Sequence, residues 1–248
     1  MMLEYDLVTA YHYDAYRPPL HQLILEKYLS QNQSFDMGLD IGCGVGHSSI
    51  ALNKHAKQVI GIDPSEAMIN RSTEHPGVAY QDWNPKDPLA FAPNTFDIIT
   101  FAGSLFYAKS QFLLDEVLRV STNTATVLVY DFEIHLEPIL QLFQLSVPNE
   151  GNLAYNHQED FSGLEDWGQL KELIREKEQG KLTLTATQLT HLLLSVKTYY
   201  QAFEQLFGTS NLEQKVNQQI ETFKHPIENG IHFTIYYTGY QVNRLYSK

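Results

Sequence analysis

Residues 37–47 read Met-Gly-Leu-Asp-Ile-Gly-Cys-Gly-Val-Gly-His. The first of these residues are apolar enough for a short strand, and glycine then occupies every second position. Glycine is favoured where a backbone turns sharply or approaches a ligand closely, because it carries no Cβ. We therefore expect a strand, a glycine turn and a helix beginning near His47 or Ser48. This arrangement binds nucleotide-type ligands at the edge of a parallel sheet.

The spacing of the glycines separates two kinds of ligand. Gly42, Gly44 and Gly46 give G-x-G-x-G, whereas a dinucleotide site has G-x-G-x-x-G, and its third glycine would fall at His47. Asp40 precedes the turn, and its carboxylate would repel a pyrophosphate but would suit an ammonium group. S-adenosylmethionine carries such a group together with a sulfonium and an adenosine.

Later apolar runs also end in residues that suit a cofactor. The second run ends in Asp63, about 20 residues past the first glycine, where a carboxylate is expected to accept hydrogen bonds from ribose hydroxyls. The third ends in Asp82 beside Trp83, which offers adenine a hydrogen-bond acceptor and a flat apolar ring. A fourth run covers 96–102. In open α/β sheets, ligands bind at the carboxyl ends of such strands.

With these motifs the sequence resembles a known family, the Rossmann-like S-adenosylmethionine-dependent methyltransferases. The matching stretches are LDIGCGVG (39–46), GIDPSEAM (61–68), YQDW (80–83) and FDIITFAGSLFY (96–107). The resemblance implies an α/β fold, namely a Rossmann-like, mostly parallel seven-stranded sheet with helices on both faces and a helical cap inserted after strand five. It also implies S-adenosylmethionine as the cofactor.

The same resemblance implies roles for individual residues. Gly42 and Gly44 would lie against the methionine part, and Asp63 would hold the ribose. Met68 would cover the adenine face, and Asp82 would bind the adenine edge. The full set of predicted cofactor-binding residues is Arg17, Asp40, Gly42, Cys43, Gly44, Asp63, Pro64, Met68, Asp82, Trp83, Phe101 and Ala102.

The methyl acceptor is harder to locate. Residues 13–19, Tyr-Asp-Ala-Tyr-Arg-Pro-Pro, are similar to a lead-in segment of small-molecule methyltransferases such as the trans-aconitate methyltransferases, where it folds over the cofactor. The alternative is an ordinary helix that ends at the double proline, with Arg17 solvated. His135 follows strand five and is the histidine that we nominate as a general base. The predicted substrate-binding residues are Tyr11, Tyr16, Tyr107 and His135.

Composition restricts the class of acceptor. The chain has 248 residues, a formal net charge of -12 and only 17 lysines and arginines. Proteins that bind nucleic acids usually present a basic face, so we expect no nucleic-acid partner. The Asn/Asp-Pro-Pro-aromatic signature of base methylation is also absent after strand four. A small-molecule acceptor is therefore predicted.

Composition also bears on compartment and metals. No apolar run approaches the ~18 residues of a membrane helix, and the first residues do not form a signal pattern, so the sequence predicts a cytoplasmic protein without a membrane partner. A single cysteine excludes an internal disulfide, and the ten histidines show no metal-ligand spacing, so we predict no metal. The sequence does not indicate an oligomeric state.

The order of elements predicts one methyltransferase domain over 1–248. Its parts are a helical lead-in (1–36), a cofactor-binding core (37–132), a cap and substrate region (133–225) and a closing strand (226–248). The predicted helices are 20–30, 46–56, 65–73, 110–120 and a pair within 198–223; strand five is 124–132. The clearest helix of the cap is predicted over 164–179, from an apolar stripe that ends before Gly180.

The sequence therefore predicts a methyltransferase that moves a methyl group to a small molecule by in-line displacement. Two alternatives stay open. An NAD(P)-dependent oxidoreductase would also use Asp63, although His47 and Asp82-Trp83 favour the methyl donor. A non-catalytic, S-adenosylmethionine-binding regulatory protein would keep the same motifs.

Overall fold

The computed structural model describes residues 7–29, 34–146, 155–165, 167–223 and 230–243. The helices are α1 (Leu7–Ala15), α2 (Leu20–Tyr28), α3 (His47–Leu52), α4 (Glu66–Ile69), α5 (Leu105–Ala108), α6 (Gln111–Val120), α7 (Glu137–Leu142), α8 (Ala186–Leu194), α9 (Lys197–Phe207) and α10 (Leu212–Thr222). The strands are β1 (Phe35–Ile41), β2 (Ala56–Asp63), β3 (Val78–Asp82), β4 (Phe96–Ala102), β5 (Ser121–Ile134), β6 (Leu170–Leu182) and β7 (Ile231–Val242).

These strands form a seven-stranded sheet in the order β3-β2-β1-β4-β5-β7-β6. Strand β1 pairs in parallel with both β2 and β4, and the pairs β2–β3 and β4–β5 are parallel as well. The chain order reverses beside β1, which is where doubly wound sheets bind ligands. The predicted seven-stranded α/β fold is confirmed.

Local sequence explains why the central elements form. Leu39, Ile99 and Phe101 are fully buried on β1 and β4, as expected for strands covered on both faces. Helix α6 begins at a Ser110 cap, whose hydroxyl accepts a hydrogen bond from the Leu113 backbone N–H at 3.1 Å.

The chain divides into two compact units. The core unit comprises residues 19–132, 154–178 and 235–248, and the helical unit comprises 1–18, 133–153 and 179–234. The helical unit has an apolar core of its own, which includes Leu140, Leu193 and Phe203. The single domain expected over 1–248 stays a prediction.

Most predicted helices and strands are present, but the helix predicted over 164–179 is wrong. Residues Trp167–Gln169 form a single 3-10 turn, and Leu170–Leu182 is strand β6 at one edge of the sheet. The predicted cap region is therefore not helical throughout. Helix α3 is shorter than predicted, since β2 already begins at Ala56. Helix α4 is also shorter than the predicted 65–73 and ends at Ile69.

None of the helices in the described ranges is long and apolar enough to cross a membrane. The cytoplasmic location stays a prediction.

Candidate functional site

The glycine turn between β1 and α3 has the backbone conformation that its sequence predicts. Gly42, Gly44 and Gly46 have φ angles of 78°, 55° and 94°, in the region that disfavours residues with a Cβ. The Gly42 backbone N–H donates to the Ile62 carbonyl at 2.8 Å, which fastens the turn to the end of β2. A Cβ at Gly42 would lie 2.3 Å from the Cβ of Ser104, so the turn also lies against the segment that follows β4.

Gly44 lies at an open position of this turn. A Cβ built on Gly44 would have no atom within 4 Å. Its backbone N–H donates to Asp63 Oδ2 at 2.9 Å, and Asp63 Oδ1 accepts the Ser65 N–H at 2.9 Å. A carboxylate has about four lone-pair directions, so Asp63 keeps acceptor capacity for further donors. Asp63 is half-buried, and its contact with a ribose stays a prediction.

Asp82 lies next to Asp63 at the ends of two parallel strands. The two residues are paired in the β2–β3 register, and the Trp83 backbone N–H donates to the Asp63 carbonyl at 3.0 Å. Asp82 is exposed, and Trp83 is half-buried against the apolar core. Half-buried Met68 belongs to α4, while exposed Pro64 directly follows β2. The structure thus brings the predicted ribose and adenine residues to the same edge of the sheet.

Asp40 is completely buried and serves the turn itself. Its Oδ2 accepts hydrogen bonds from the Ser48 and Ser49 hydroxyls at 2.6 and 2.7 Å, and its Oδ1 accepts one from Thr100 at 2.8 Å. Burial raises the pKa of this carboxyl, and the three hydroxyls partly oppose that shift. These bonds hold the start of α3 against β4. Contact between Asp40 and a cofactor stays a prediction.

Two further polar groups, the Cys43 thiol and the Tyr80 hydroxyl, are buried beside the turn. Burial raises the pKa of the Cys43 thiol, so this residue stays a protonated, small side chain rather than a nucleophile. The Tyr80 hydroxyl is buried and has no hydrogen-bond partner among the described residues, and burial raises its pKa to about 12. A Cβ at Gly46 would lie 2.2 Å from that hydroxyl oxygen, so Gly46 is required where Tyr80 packs under the turn.

The ends of β4 and β5 form a pocket that sequence reasoning missed. Asp131 Oδ2 lies 2.7 Å from His157 Nδ1 and 2.8 Å from Tyr155 Oη. The pocket encloses about 190 Å³, including space open to solvent, and its lining also includes Gly103 and Ser104. Asp131 follows the same pattern as Asp40, Asp63 and Asp82, each an acid at or near the end of an apolar strand, and that pattern could have identified it.

The predicted residues of β4 and α5 border this pocket. Phe101 is fully buried and Ala102 half-buried at the end of β4. Tyr107 is 74% exposed, and its ring lies 5.6 Å from that of Tyr155. The roles of the three residues toward ligands stay predictions.

The glycine turn, Asp63 and Asp82 lie in a segment that is similar to a known family. Residues 39–129 match the family model described as a methyltransferase domain. This segment is similar to methyltransferase domains. The match confirms the predicted enzyme class for this part of the chain, and it favours a methyltransferase over a nicotinamide-dependent oxidoreductase.

Individual similar proteins carry names of the same kind. CRG1 of Saccharomyces cerevisiae, named a probable S-adenosylmethionine-dependent methyltransferase, is 22% identical over 135 residues, covering 51% of this chain and 45% of CRG1. RlmD of Photobacterium profundum, named a 23S rRNA (uracil(1939)-C(5))-methyltransferase, is 32% identical over 140 residues, covering 49% of this chain and 30% of RlmD. The chain therefore spans less than half the length of these curated relatives.

A solved structure shares the fold of residues 39–129 and of the residues around them. The protein comes from Anaeromyxobacter dehalogenans and carries the name of a type II methyltransferase. Its TM-score is 0.64 at 17% identity, over 92% of this chain and 99% of that one. At this identity the likeness shows the fold alone.

Four predicted residues lie outside residues 39–129, in the helical unit. Tyr11 is 55% exposed and Tyr16 is half-buried against that unit's apolar core. The Arg17 guanidinium lies 3.7 Å from the centre of the Tyr13 ring, a cation–π contact. His135 Nε2 lies 2.8 Å from the Thr234 hydroxyl. Ligand contacts by these residues stay predictions.

The helical unit also contains a buried pair of histidines. The Nδ1 atoms of His12 and His191 lie 2.9 Å apart, and Glu213 lies 3.8 Å from His191 Nε2. Burial, followed by the proximity of His191, lowers the pKa of His12. The two Nδ1 atoms are within hydrogen-bond distance of each other.

Proposed function

We propose that this protein is an S-adenosylmethionine-dependent methyltransferase whose acceptor is a small molecule. The observation that carries the proposal is the open position at Gly44 beside Asp63, inside the segment that matches a methyltransferase domain. The cofactor supplies a methyl group on a positively charged sulfur, which is attacked by an acceptor in line with the carbon–sulfur bond.

The cofactor's adenosine binds along the ends of β2 and β3. Asp63 accepts hydrogen bonds from the ribose hydroxyls. Its two oxygens are held in place by the Gly44 and Ser65 backbone N–H groups and keep further acceptor capacity. Asp82 accepts a hydrogen bond from the adenine amino group, with Met68 and Trp83 as apolar neighbours of the base. All four residues lie at one edge of the sheet.

The methionine part binds over the glycine turn. Gly42 and Gly44 allow close approach of the ligand, and main-chain groups of Phe101 and Ala102 bind its amino end. Asp40 acts as a positioning residue in this proposal, since its three hydroxyl bonds fix the turn and α3 relative to β4.

A small-molecule acceptor suits the charge of the chain. A net charge of -12 opposes the binding of a polyanion, because binding such a ligand requires cationic side chains to neutralise phosphates. The likeness of residues 13–19 to the lead-in of small-molecule methyltransferases supports the same conclusion. The similarity to RlmD makes RNA the second candidate, which an experiment must separate from the first.

The test offers the two acceptor classes side by side. Purified protein is incubated with S-adenosylmethionine labelled in its methyl group, and with either a small-molecule fraction or total RNA from the same cells. We expect label in the small-molecule fraction only, with an equal release of S-adenosylhomocysteine. Label in RNA that survives phenol extraction would contradict the small-molecule proposal, and absence of label in both fractions would contradict methyl transfer.

A further inference from the structure

Three helices of the helical unit bring two histidines and a glutamate together. His12 lies on α1, His191 on α8 and Glu213 on α10. The Nδ1 atoms of the two histidines are 2.9 Å apart, and Glu213 Oε1 lies 3.8 Å from His191 Nε2. One potential ligand atom from each side chain lies within 4.8 Å of the other two. Clusters of this kind bind metal ions in other proteins.

The spacing of the cluster is close to that of a zinc site. Zinc lies about 2.0–2.2 Å from the nitrogen and oxygen atoms of its tetrahedral ligands, so two of these atoms are about 3.3–3.6 Å apart. His191 presents Nδ1 to His12 and Nε2 to Glu213, and one of these two nitrogens would bind the ion. Side-chain rotations that move each ligand atom by roughly 1 Å or less bring the cluster to this spacing.

The two imidazoles are buried and packed against aromatic rings. His12 and His191 are 3% and 8% exposed. The Tyr11 ring packs edge-on against both, with 5.0 and 5.9 Å between ring centres, and the centre of the Tyr200 ring lies 6.2 Å from that of His12. A buried ring nitrogen needs a polar partner, because its loss of hydration is otherwise uncompensated. A metal ion bound by both imidazoles supplies such a partner to each.

The helices that carry the ligands are fixed by the apolar core of the helical unit. His191 belongs to the stretch 189–194 of α8, all of which is buried, and α8 begins with a capping box. Glu213 follows buried Leu212 at the start of α10. Ligands on such rigid elements keep the geometry that a metal ion requires.

The ligand types select the class of metal ion. Imidazole nitrogens suit Zn²⁺ and related transition metals, whereas Mg²⁺ and Ca²⁺ are bound mainly by oxygen atoms. Two histidines and one glutamate form a known zinc ligand set, in which a water molecule takes the fourth position. The Glu213 side chain is 44% exposed, so water has access to this side of the cluster.

We propose that His12, His191 and Glu213 form a binding site for a divalent transition-metal ion of the zinc class. The ion joins α1 to α8 and α10, and a water molecule completes its coordination. Because the ion binds the folded chain, it stabilises the helical unit. All three ligands lie in that unit, so the proposal does not depend on methyl transfer. It departs from the sequence-based prediction of no metal, which considered only the spacing of histidines along the chain.

A direct hydrogen bond between the imidazoles is the alternative arrangement of the same two atoms. Such a bond places a proton on one of the two Nδ1 atoms and does not involve Glu213. A metal ion takes the place of this proton and uses all three side chains. The two arrangements therefore differ in whether the protein binds an ion and in whether Glu213 contributes.

The first test measures metal binding by the full chain. Protein without a histidine tag is dialysed against a chelator and titrated with Zn²⁺ or Mg²⁺ in a calorimeter. We expect one tight Zn²⁺ site per chain and no binding of Mg²⁺ at the same concentrations. Free Zn²⁺ at about 100 times its Kd should raise the Tm by about 5–10 °C. Absence of Zn²⁺ binding, or equal affinity for Mg²⁺, would overturn the proposal.

The second test assigns the ligands. Loss of a residue that only supports a metal ligand costs about 10- to 100-fold in affinity, so Glu213→Gln and His191→Gln should each weaken Zn²⁺ binding by at least about 100-fold. Glu221→Gln is the matched control for the first variant, because Glu221 is exposed on the same helix. His232→Ala is the control for the second, because His232 is exposed and belongs to the helical unit. Both controls should keep the wild-type affinity and Tm shift.

Wild-type affinity in Glu213→Gln or in folded His191→Gln would overturn the site, because the ion would then be bound elsewhere on the chain. Glu213 is partly exposed, so its variant should fold even where the buried His191→Gln does not. Co²⁺ gives an independent readout, because it absorbs visible light far more strongly in a four-coordinate than in a six-coordinate site. We expect the strong band in the wild type and in Glu221→Gln, and its loss in Glu213→Gln. A weak, six-coordinate spectrum in the wild type would contradict the proposal.

Discussion

Two glycines of the same turn should respond differently to the same substitution. Gly42 and Gly44 both have positive φ angles, 78° and 55°, so alanine is strained at either position. Only at Gly42 would the new methyl group collide with the protein, at 2.3 Å from the Cβ of Ser104. At Gly44 the methyl group would enter open space.

The expected losses of stability follow from the backbone strain at both glycines and the steric collision at Gly42. A left-handed conformation costs a residue with a Cβ about 1–2 kcal/mol, which applies to both variants. Overpacking adds about 1–3 kcal/mol, which applies to Gly42→Ala alone. We therefore expect Gly42→Ala to lower the free energy of unfolding by about 2–5 kcal/mol and Gly44→Ala by about 1–2 kcal/mol.

Cofactor binding should show a different order. The space that Gly44→Ala fills is the space in which we place the cofactor, so this variant should bind S-adenosylmethionine at least about tenfold more weakly, equivalent to about 1.4 kcal/mol. Urea unfolding followed by circular dichroism gives the stabilities, and isothermal titration calorimetry gives the affinities. Equal destabilisation of the two variants, or wild-type affinity in Gly44→Ala, would refute the reasoning.

Three further predictions concern single side chains. Asp63→Asn should weaken S-adenosylmethionine binding by about 1–3 kcal/mol in calorimetry, because a charged acceptor is lost, whereas Asp36→Asn, an exposed control, should not. Hydrogen bonds from Arg119 lower the pKa of Glu116 from its ordinary 4.5, so the charged form stabilises the fold above that pH and the contribution is lost as pH falls below it. Urea unfolding of Glu116→Gln should therefore show a flatter loss of stability below about pH 4.5 than the wild type, and parallel curves would contradict this. Ser110→Ala should cost about 1 kcal/mol in urea unfolding through loss of the α6 cap, and no change would contradict the capping role.

Much of the core unit could be predicted because its signals are local. The glycine turn follows from residues 37–47 alone, since a strand, three positive φ angles and a helix start lie within 11 consecutive positions. The parallel order of β1, β2 and β3 follows from apolar runs that end in acids. In such elements the local preference and the global fold agree.

Strand β6 could not be predicted in this way. Its sequence is rich in glutamate, lysine and arginine, which are good helix formers, and its apolar residues happen to recur at helical spacing. Strand β6 is an edge strand beside β7, and charged residues are common on sheet edges. Gly180, which was expected to end a helix, instead packs where a Cβ would be 2.3 Å from Phe233.

The contact between Asp131 and His157 could not be predicted from the sequence for a related reason. Asp131 and His157 are 26 positions apart, and the connecting residues contain no motif that links them. His135 was nominated because it follows strand five in the sequence. His135 Nε2 lies 2.8 Å from the Thr234 hydroxyl in the helical unit, and its role as a general base stays a prediction.

Calorimetric titration of the wild-type protein with S-adenosylmethionine, S-adenosylhomocysteine, NAD and NADP tests the central claim most directly. The account predicts saturable binding of the two sulfur compounds and none of the nicotinamide nucleotides. Binding of a nicotinamide nucleotide, with no heat from either sulfur compound, would contradict the account.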